Sequence, residues 1–227
     1  MNINPLHPFE VSPEQAIAIQ RELSSKLIIK PLEKKVELIA GVDVAYEKEE
    51  KRMFAGVVVL SFPSLSLIEE VWAEEEVRFP YVPGLLTFRE AEAILKALSR
   101  LENSPDLFIF DGQGIAHPRR MGIAAHLGVI IDRPSIGCAK SRLVGTFAKV
   151  PERRGSYSLL YYRGKTIGAV VRTKDRVKPL FVSPGHLIDI EGAISFVLAC
   201  SKGYRLPEPT RQAHLFVNRV KRERNEG

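Results

Sequence analysis

The stretch from Leu107 to Cys138 reads LFIFDGQGIAHPRRMGIAAHLGVIIDRPSIGC, and its pattern decides the fold class. Its first residues, Leu107–Phe110, are all apolar, which is typical of a strand buried on both faces of a parallel sheet. The residues that follow predict a helix around Arg119–Leu127 and two more short strands, at Val129–Ile131 and Ser135–Cys138. Strand–helix–strand units of this kind predict an α/β architecture with helices on the faces of a sheet.

The flanking residues extend this prediction in both directions. Ser12, Pro13 and Gln15 form the capping pattern of a helix start. Three strand-like runs then predict an antiparallel meander: Val36–Tyr46, Met53–Phe62 and Leu65–Val77. A helix is expected from Thr87. After the central stretch we predict three strands and two helices: Tyr157–Tyr162, Thr166–Arg172, Pro179–Val182, Asp189–Cys200 and a last helix from about Thr210. We therefore expect one domain over residues 1–227, with a mixed sheet flanked by helices.

The composition is that of an ordinary globular protein. Of 227 residues, 45% are hydrophobic and 26% are charged, which argues against a disordered chain. No apolar run reaches the roughly 18 residues that span a bilayer, and the opening MNINPLHPFE does not resemble a secretory signal. Cys138 and Cys200 lie in apolar surroundings without zinc-binding spacing, so we expect buried thiols in a reducing compartment, the cytoplasm.

The net charge of +6 is unevenly distributed along the chain. Residues 1–132 have a net charge of −6, whereas residues 133–178 carry 12 basic and 2 acidic side chains, a net charge of +10. A concentration of positive charge suggests a polyanionic partner such as nucleic acid. The alternative is a solvated surface that happens to use lysine and arginine.

Two aspartates are the first candidates for chemistry. Asp43 lies in AGVDVAY, a strand otherwise typical of a core, where an unpartnered carboxylate would be costly. An edge position or a structural ion pair is the alternative. Asp111 ends the Leu107–Phe110 strand, where open α/β sheets present ligands, although a turn or helix cap also explains it. The following GQGIAH does not match the dinucleotide-binding pattern G-x-G-x-x-G.

Glu90 has two interpretations. With Thr87 it fits a capping box, which would explain it without chemistry. It also borders the apolar face of its helix. If the strands of Asp43 and Asp111 are neighbours, the three carboxylates could converge. They would repel each other unless a cation lay among them, and oxygen ligands favour Mg²⁺ or Mn²⁺. Such an ion activates water and stabilises displacement at phosphorus.

Two basic residues could assist such a reaction. Lys140 follows a predicted strand in GCAKSR, and His214 lies near the start of the last helix. Taken alone, each is explained equally well as a surface lysine and a helix-flanking histidine. The pattern G-x-S-x-G is missing from the sequence, so a serine hydrolase is not supported.

Seven motifs together resemble the endonuclease V family of DNA-repair nucleases, which have a ribonuclease H-like fold. They run in family order from about residue 40 to residue 217: AGVDVAY, FPYVPGLLTFRE, FDGQGIAHPRRMGIAAHLGV, SIGCAKSRLVG, RTK, FVSPGHLIDIE and EPTRQAH. The resemblance covers nearly the whole chain. DGQGxAHPR and PYxPGLLxFRE are far more specific than any isolated acidic residue.

The resemblance implies a role for each matching residue. Asp43 and Asp111 match the metal-binding aspartates, and Glu90 matches the third acidic catalytic residue. Lys140 and His214 match residues that assist near the scissile phosphate. Tyr81 matches a wedge that enters the duplex at the lesion, where a ring on a proline-stiffened loop can stack. The resemblance assigns the rest of the lesion-binding surface to Pro83, Gly84, Leu86, Gly112, His117, Gly122 and Ile123.

The resemblance also implies a reaction. It is the Mg²⁺-dependent hydrolysis of the second phosphodiester bond 3′ to a deoxyinosine in DNA, with Mn²⁺ as a substitute ion. The products carry a 3′-hydroxyl and a 5′-phosphate. We expect a monomer with DNA as partner and no membrane association. Three alternatives stay open: the same chemistry on inosine-containing RNA, a related nuclease for branched DNA, and a lesion-binding module without cleavage.

Overall fold

The structure is a computed structural model that describes residues 1, 3–47, 49 and 51–226. Residues 2, 48, 50 and 227 of the predicted domain lie outside the described residues. The helices of the described part are α1 (Pro13–Leu23), α2 (Leu86–Ser99), α3 (Ile123–Ile131), α4 (Ile190–Ala199) and α5 (Glu208–Glu226), with a 3₁₀ turn at Ser24–Lys26. Its strands are β1 (Leu38–Tyr46), β2 (Arg52–Ser61), β3 (Leu67–Glu76), β4 (Leu107–Phe110), β5 (Ser135–Ala139), β6 (Tyr157–Tyr162), β7 (Lys165–Val171) and β8 (Leu180–His186).

These strands form one mixed sheet in the order β3-β2-β1-β4-β5-β8-β7-β6. The pairs β1–β2 and β2–β3 are antiparallel, as the predicted meander requires. In the centre β4 runs parallel to both β1 and β5, and β8, β7 and β6 complete the sheet in antiparallel fashion. The predicted α/β class, a mixed sheet flanked by helices, is confirmed.

Two apolar cores lie on opposite faces of the sheet. The first joins α2 and α3 to alternate residues of the central strands, for example Phe108 and Phe110 of β4. The second joins α4 and α5 to the other alternate residues, such as Leu107 and Ile109. All four residues of β4 are buried, because helices cover both faces of that strand.

The structure corrects one predicted element. Val129–Ile131, predicted as a strand, is the C-terminal part of α3, and the helix expected over Arg119–Leu127 begins only at Ile123. All nine residues of α3 are buried. A short apolar run without polar positions fits a buried helix as well as a buried strand, so its periodicity could not separate the two.

Two local predictions are confirmed, the cap of α1 and the burial of both cysteines. Ser12 caps α1, since its hydroxyl accepts the Gln15 N–H at 3.3 Å and the Gln15 side chain accepts the Ser12 N–H at 2.8 Å. Cys138 and Cys200 are buried free thiols. Within the described part of the chain, no helix is both long and apolar enough to cross a membrane.

Candidate active site

The parallel pairing of β1 and β4 places Asp43 beside Asp111. Val42 is the register partner of Phe110, and the Asp111 N–H donates to the Val42 carbonyl at 3.1 Å. Both aspartates therefore leave adjacent strands at the same edge of the sheet. Asp43 is still within β1, whereas Asp111 is the first residue after β4.

Asp43 is mostly buried and is bound by a histidine from α5. The Oδ2 atom of Asp43 lies 2.7 Å from Nδ1 of His214, whose side chain is half exposed. Burial, followed by the negative charge of Asp111, raises the pKa of Asp43, although His214 and Lys140 oppose the shift. The ionised form of Asp43 is thus disfavoured in this site, and a nearby cation would stabilise it.

Lys140 contacts the second aspartate. It is the first residue after β5, and its ammonium Nζ donates a hydrogen bond to Oδ2 of Asp111. Burial by itself lowers the pKa of Lys140, but the charge and hydrogen bond of Asp111 outweigh it, so the pKa is raised. Lys140 therefore stays charged beside the carboxylates.

Glu90 does not form the predicted capping box. The N-cap of α2 is Leu85, without a side-chain hydrogen bond, so the helix begins before Thr87. Glu90 instead points into the interior, where its Oε1 accepts the Tyr46 hydroxyl at 2.8 Å. Burial raises the pKa of Glu90 to about 8, the Tyr46 hydrogen bond opposes the shift, and the charges of Asp43 and Asp111 add to it.

The three carboxylates line one small cavity at the edge of the sheet. Asp43, Glu90 and Asp111 share it with apolar residues, including Val42 and Phe110. Among the side chains that the structure describes, no three His, Cys, Asp or Glu residues already stand as a metal-binding group. The donor set still fits a hard divalent cation, because all three side chains offer carboxylate oxygens, and burial followed by their mutual repulsion raises the pKa of Asp43 and of Glu90.

A larger cavity of about 330 Å³ opens beside the carboxylates. Asp111 and Lys140 lie in its wall, so it adjoins the acidic site. The Tyr81 ring at its rim is 71% exposed. All eight residues predicted to bind the lesion line it: Tyr81, Pro83, Gly84, Leu86, Gly112, His117, Gly122 and Ile123.

Several residues of this region were not predicted from the sequence. The cavity is also lined by Gln113, Met121 and the loop of Ser141, Arg142 and Leu143. Nor was the Tyr46 contact with Glu90 expected. The sequence did offer a pointer to Tyr46 as a residue near the site, because it lies in AGVDVAY at the end of the strand that holds Asp43. Gly112, Gln113 and Gly114 form an irregular turn, so no periodicity indicated where the amide of Gln113 would lie.

A second groove lies on the other side of Lys140. Lys149 and Lys178 line it together with Arg172 and Arg205. The two arginines are held by backbone carbonyls: Arg172 donates to Val150 and Pro151, and Arg205 donates to Lys140 and Lys178. Part of the basic segment 133–178 is therefore next to the acidic site.

Comparison with known proteins identifies the family. The family model for endonuclease V matches residues 21–215. The endonuclease V of Gloeobacter violaceus is 47% identical over 222 residues, covering 96% of this chain and 90% of that protein. The crystal structure of an endonuclease V from Streptomyces avermitilis superposes with a TM-score of 0.90 at 40% identity, covering 96% of each chain.

A more distant structure contains nucleic acid. It is Ciona intestinalis endonuclease V in complex with a 24-mer DNA containing an inosine followed by a ribo-adenosine. Its TM-score is 0.82 at 27% identity, covering 92% of this chain and 98% of that one. On the family match and the identity to its relatives, the chain belongs to the endonuclease V family, enzymes that cleave DNA as nucleases.

Proposed function

We propose that this nuclease recognises deoxyinosine in DNA and hydrolyses the second phosphodiester bond 3′ to it in a Mg²⁺-dependent reaction. The products would carry a 3′-hydroxyl and a 5′-phosphate. One observation carries the proposal: the cavity that Tyr81 borders shares Asp111 with the carboxylate site and is also lined by Lys140, which bonds to Asp111. A base bound in the cavity would therefore hold its own strand beside the acidic residues.

The carboxylates would hold the ion. Asp43 and Asp111 leave adjacent strands, and Glu90 faces them from α2, so the metal would be bound from two layers of the fold. Mg²⁺ in such a site supplies an activated water and stabilises charge on the phosphorus oxygens. Lys140 and His214, each already bonded to one aspartate, would contact the phosphate on either side of the site.

The cavity suits a flat base turned out of the duplex. Its wall combines apolar side chains, such as Leu86 and Ile123, with the backbone of glycine-rich turns. Hypoxanthine lacks the exocyclic amine of adenine and presents a lactam edge, which backbone groups can test by hydrogen bonds. Tyr81 would stack in the gap that the base leaves, because its ring is exposed and its loop is stiffened by Pro80 and Pro83.

The test is nicking of a duplex that contains a single deoxyinosine, with Mg²⁺ and with a chelator. We expect one nick, at the second bond 3′ to the lesion, only with Mg²⁺, and Asp111→Asn should abolish it. The matched control is Asp106→Asn, at the other end of β4, where Asp106 binds Lys34 and backbone amides. It should nick at the same site. Failure of the parent protein to nick with Mg²⁺ would contradict the proposal.

We further infer a setting for this reaction. Cleavage of a DNA strand beside deaminated adenine is a repair function, and both cysteines are buried free thiols, in keeping with the reducing cytoplasm. The acidic site and the cavity are built from a single chain, so a monomer would suffice. Light scattering of the free protein and of its DNA complex tests the monomer.

Inosine in RNA is a second candidate substrate. In the Ciona complex a ribo-adenosine follows the inosine, so that relative accepts a ribonucleotide at this point of the strand. A flipped base is read similarly in either backbone. Competition between matched DNA and RNA strands, each with one inosine, decides between the two. Faster cleavage of RNA would make RNA the primary substrate.

A further inference from the structure

The loop that carries Tyr81 ends in a tight turn, and the carbonyl oxygen of Gly84 in this turn accepts several side-chain hydrogen bonds. The Leu85 N–H donates to the Val82 carbonyl at 2.9 Å, and Gly84 has a φ of +82°. Proline followed by a glycine of positive φ is typical of a type II turn. The Gly84 carbonyl oxygen accepts three hydrogen bonds: from Gln20 Nε2 at 3.1 Å, from His117 Nε2 at 2.9 Å and from Arg119 Nη2 at 2.9 Å.

The hydrogen bonds of His117 fix its tautomer. Its Nδ1 accepts the backbone N–H groups of Arg119 at 3.2 Å and Met121 at 3.3 Å. Nδ1 is therefore unprotonated, and Nε2 carries the hydrogen that it donates to Gly84. Burial lowers the pKa of His117 to about 4, so the ring is neutral near pH 7. His117 thus joins the Gly84 turn to the loop after Gly114 without a charge.

Gln20 completes the connection from a distant part of the chain. It is 1% exposed on the buried face of α1 with Ala16 and Leu23, the one polar residue of that face. Its Oε1 accepts Arg119 Nε at 2.6 Å, and its Nε2 also donates to the Met121 carbonyl at 3.1 Å. Because the oxygen and the nitrogen of its side-chain amide are both hydrogen-bonded, Gln20 fixes the Arg119 guanidinium relative to the Gly84 carbonyl.

We propose that Gln20 is a positioning residue for Tyr81, acting through the hydrogen bonds that converge on the Gly84 carbonyl. Gln20 does not itself border the cavity but bonds to the Gly84 and Met121 carbonyls behind its wall, so its effect on Tyr81 passes through the Gly84 turn. The inference rests on the proposed function, because it assumes that Tyr81 acts on a duplex. The Tyr81 side chain is mostly exposed, so its position depends on the backbone of the loop that carries it.

This role predicts a dependence on the substrate. A wedge is needed where a base leaves a stacked duplex, and much less where the strand is already single. Loosening the turn should therefore impair cleavage of an inosine duplex more than cleavage of the same strand alone. A merely structural role of Gln20 would instead reduce both activities together, through a smaller fraction of folded protein.

The experiment compares Gln20→Ala with Gln15→Ala, a glutamine on the same helix that belongs to the capping box and not to the network. With Mg²⁺ we expect Gln20→Ala to lower kcat/KM on the duplex about tenfold, mainly through KM, which is the scale of one or two lost hydrogen bonds. Its activity on the single strand should stay within about twofold of the parent. Gln15→Ala should match the parent on both substrates. Equal losses on both substrates would overturn the proposal.

Two further measurements keep the inference separate from the proposed function. On the duplex, Gln20→Ala combined with Tyr81→Ala should be no worse than Tyr81→Ala alone, and additive losses would contradict the proposal. Hydrogen exchange of the Leu85 amide reports the turn directly, without DNA. Exchange of this amide should be faster in Gln20→Ala and unchanged in Gln15→Ala. If Gln20→Ala folds poorly, Arg119→Lys replaces it and should also exchange faster. Inactivity of the parent on inosine DNA would refute the proposed function, whereas unchanged Leu85 exchange would refute the positioning role.

Discussion

Tyr81 is the residue whose exposure is hardest to explain by folding alone. Its side chain is 71% exposed, while the turn immediately after it is held by the hydrogen bonds to Gly84. A large aromatic ring mounted on a fixed backbone and left in solvent is suited to stacking on a partner. Exposing a single aromatic ring to water destabilises the free protein little, and stacking of the ring would stabilise only the complex.

Tyr81→Ala should weaken binding to inosine duplex DNA more than it slows the chemical step. Base–aromatic stacking is worth roughly 1–3 kcal/mol, so we expect Kd to rise about tenfold or more. The single-turnover rate at saturating protein should change less. Binding by fluorescence anisotropy with Ca²⁺ in place of Mg²⁺ measures the first quantity. Tyr161→Ala, an exposed tyrosine on β6, is the control, and unchanged affinity in Tyr81→Ala would refute the wedge.

At this scale the residue type was predictable and its partners were not. AGVDVAY marked Asp43 as a carboxylate out of place in a core strand, and the structure puts it beside Asp111. The capping pattern of Thr87 and Glu90 was misleading, since α2 starts earlier and Glu90 bonds to Tyr46. Local spacing describes neighbours along the chain, whereas this contact joins β1 to α2, and only tertiary packing creates it.

Among the elements, α5 packs against the backbone of β1 at Gly41. A Cβ added to Gly41 of β1 would lie 1.9 Å from the carbonyl oxygen of Pro209, in the first turn of α5. The same helix carries His214, which contacts Asp43 two residues along β1 from Gly41. The absent side chain at Gly41 therefore lets the helix start where its histidine reaches the aspartate.

Gly41→Ala should push the start of α5 away from β1 and cost both stability and activity. Overpacking of this kind costs typically 1–3 kcal/mol, which a lower urea midpoint at unchanged m-value would report. Nicking of the inosine duplex should fall as well, because His214 moves with the helix. His214→Ala is the comparison: its side chain is half exposed, so it should lose activity and keep the parent's midpoint. A parental midpoint in Gly41→Ala would contradict this prediction.

The elements also show where sequence patterns stop being decisive. The amphipathic and alternating segments were predicted to within a few residues: α1, the meander β1–β3 and the hairpin β6–β7. The error was at Val129–Ile131, within a helix buried on all sides. Amphipathic periodicity exists only where one face meets water, so a fully buried element lacks the signal that distinguishes helix from strand.

Across the whole molecule, buried histidines link stability to pH. Burial lowers the pKa of His117 to about 4 and that of His126 to about 3, against about 6.5 for an unfolded histidine. Below pH 6.5 the unfolded chain binds protons that the folded protein does not. Their contribution to stability is therefore complete above about pH 6.5 and is lost as the pH falls toward their folded pKa values. Glu90 has the opposite effect, because its pKa is raised to about 8. Between its unfolded and folded pKa values the folded protein binds the additional proton, so the contribution of Glu90 to stability decreases as the pH rises.

A variant separates these opposing effects. His126 packs against Phe88 and lies 2.7 Å from the His7 ring nitrogen, so His126→Phe suits the aromatic surroundings and does not titrate. The free energy of unfolding, from urea curves between pH 4.5 and 7.5, should fall less steeply with decreasing pH in His126→Phe than in the parent. The free energy of unfolding of the parent, measured relative to that of His126→Phe, should decrease toward acid by on the order of 1 kcal/mol or more. Parallel curves would mean that His126 titrates normally in the folded protein.

The net charge of +10 over residues 133–178 gives the last prediction, because it divides into two kinds of basic residue. Arg172 is bound to backbone carbonyls, as is Arg205, which lies outside this segment and lines the same groove. Lys149 and Lys178 line the groove beside Lys140 as exposed lysines. Each phosphate contact contributes about −0.9 to the slope of log K against log salt, so Lys149→Ala and Lys178→Ala should each reduce that slope by about 1.

Both lysine variants should weaken undamaged and inosine-containing duplexes equally, since phosphate contacts carry no information about the base. The control is Lys35→Ala, which removes the same charge before β1, at the end of the strand opposite to Asp43. There Lys35 pairs with Glu37 and is 83% exposed. If the groove binds the backbone, Lys35→Ala keeps the parental slope. Equal slopes in all three variants would show that the total charge attracts DNA and that the groove has no contact of its own, because long-range attraction does not distinguish positions on the surface.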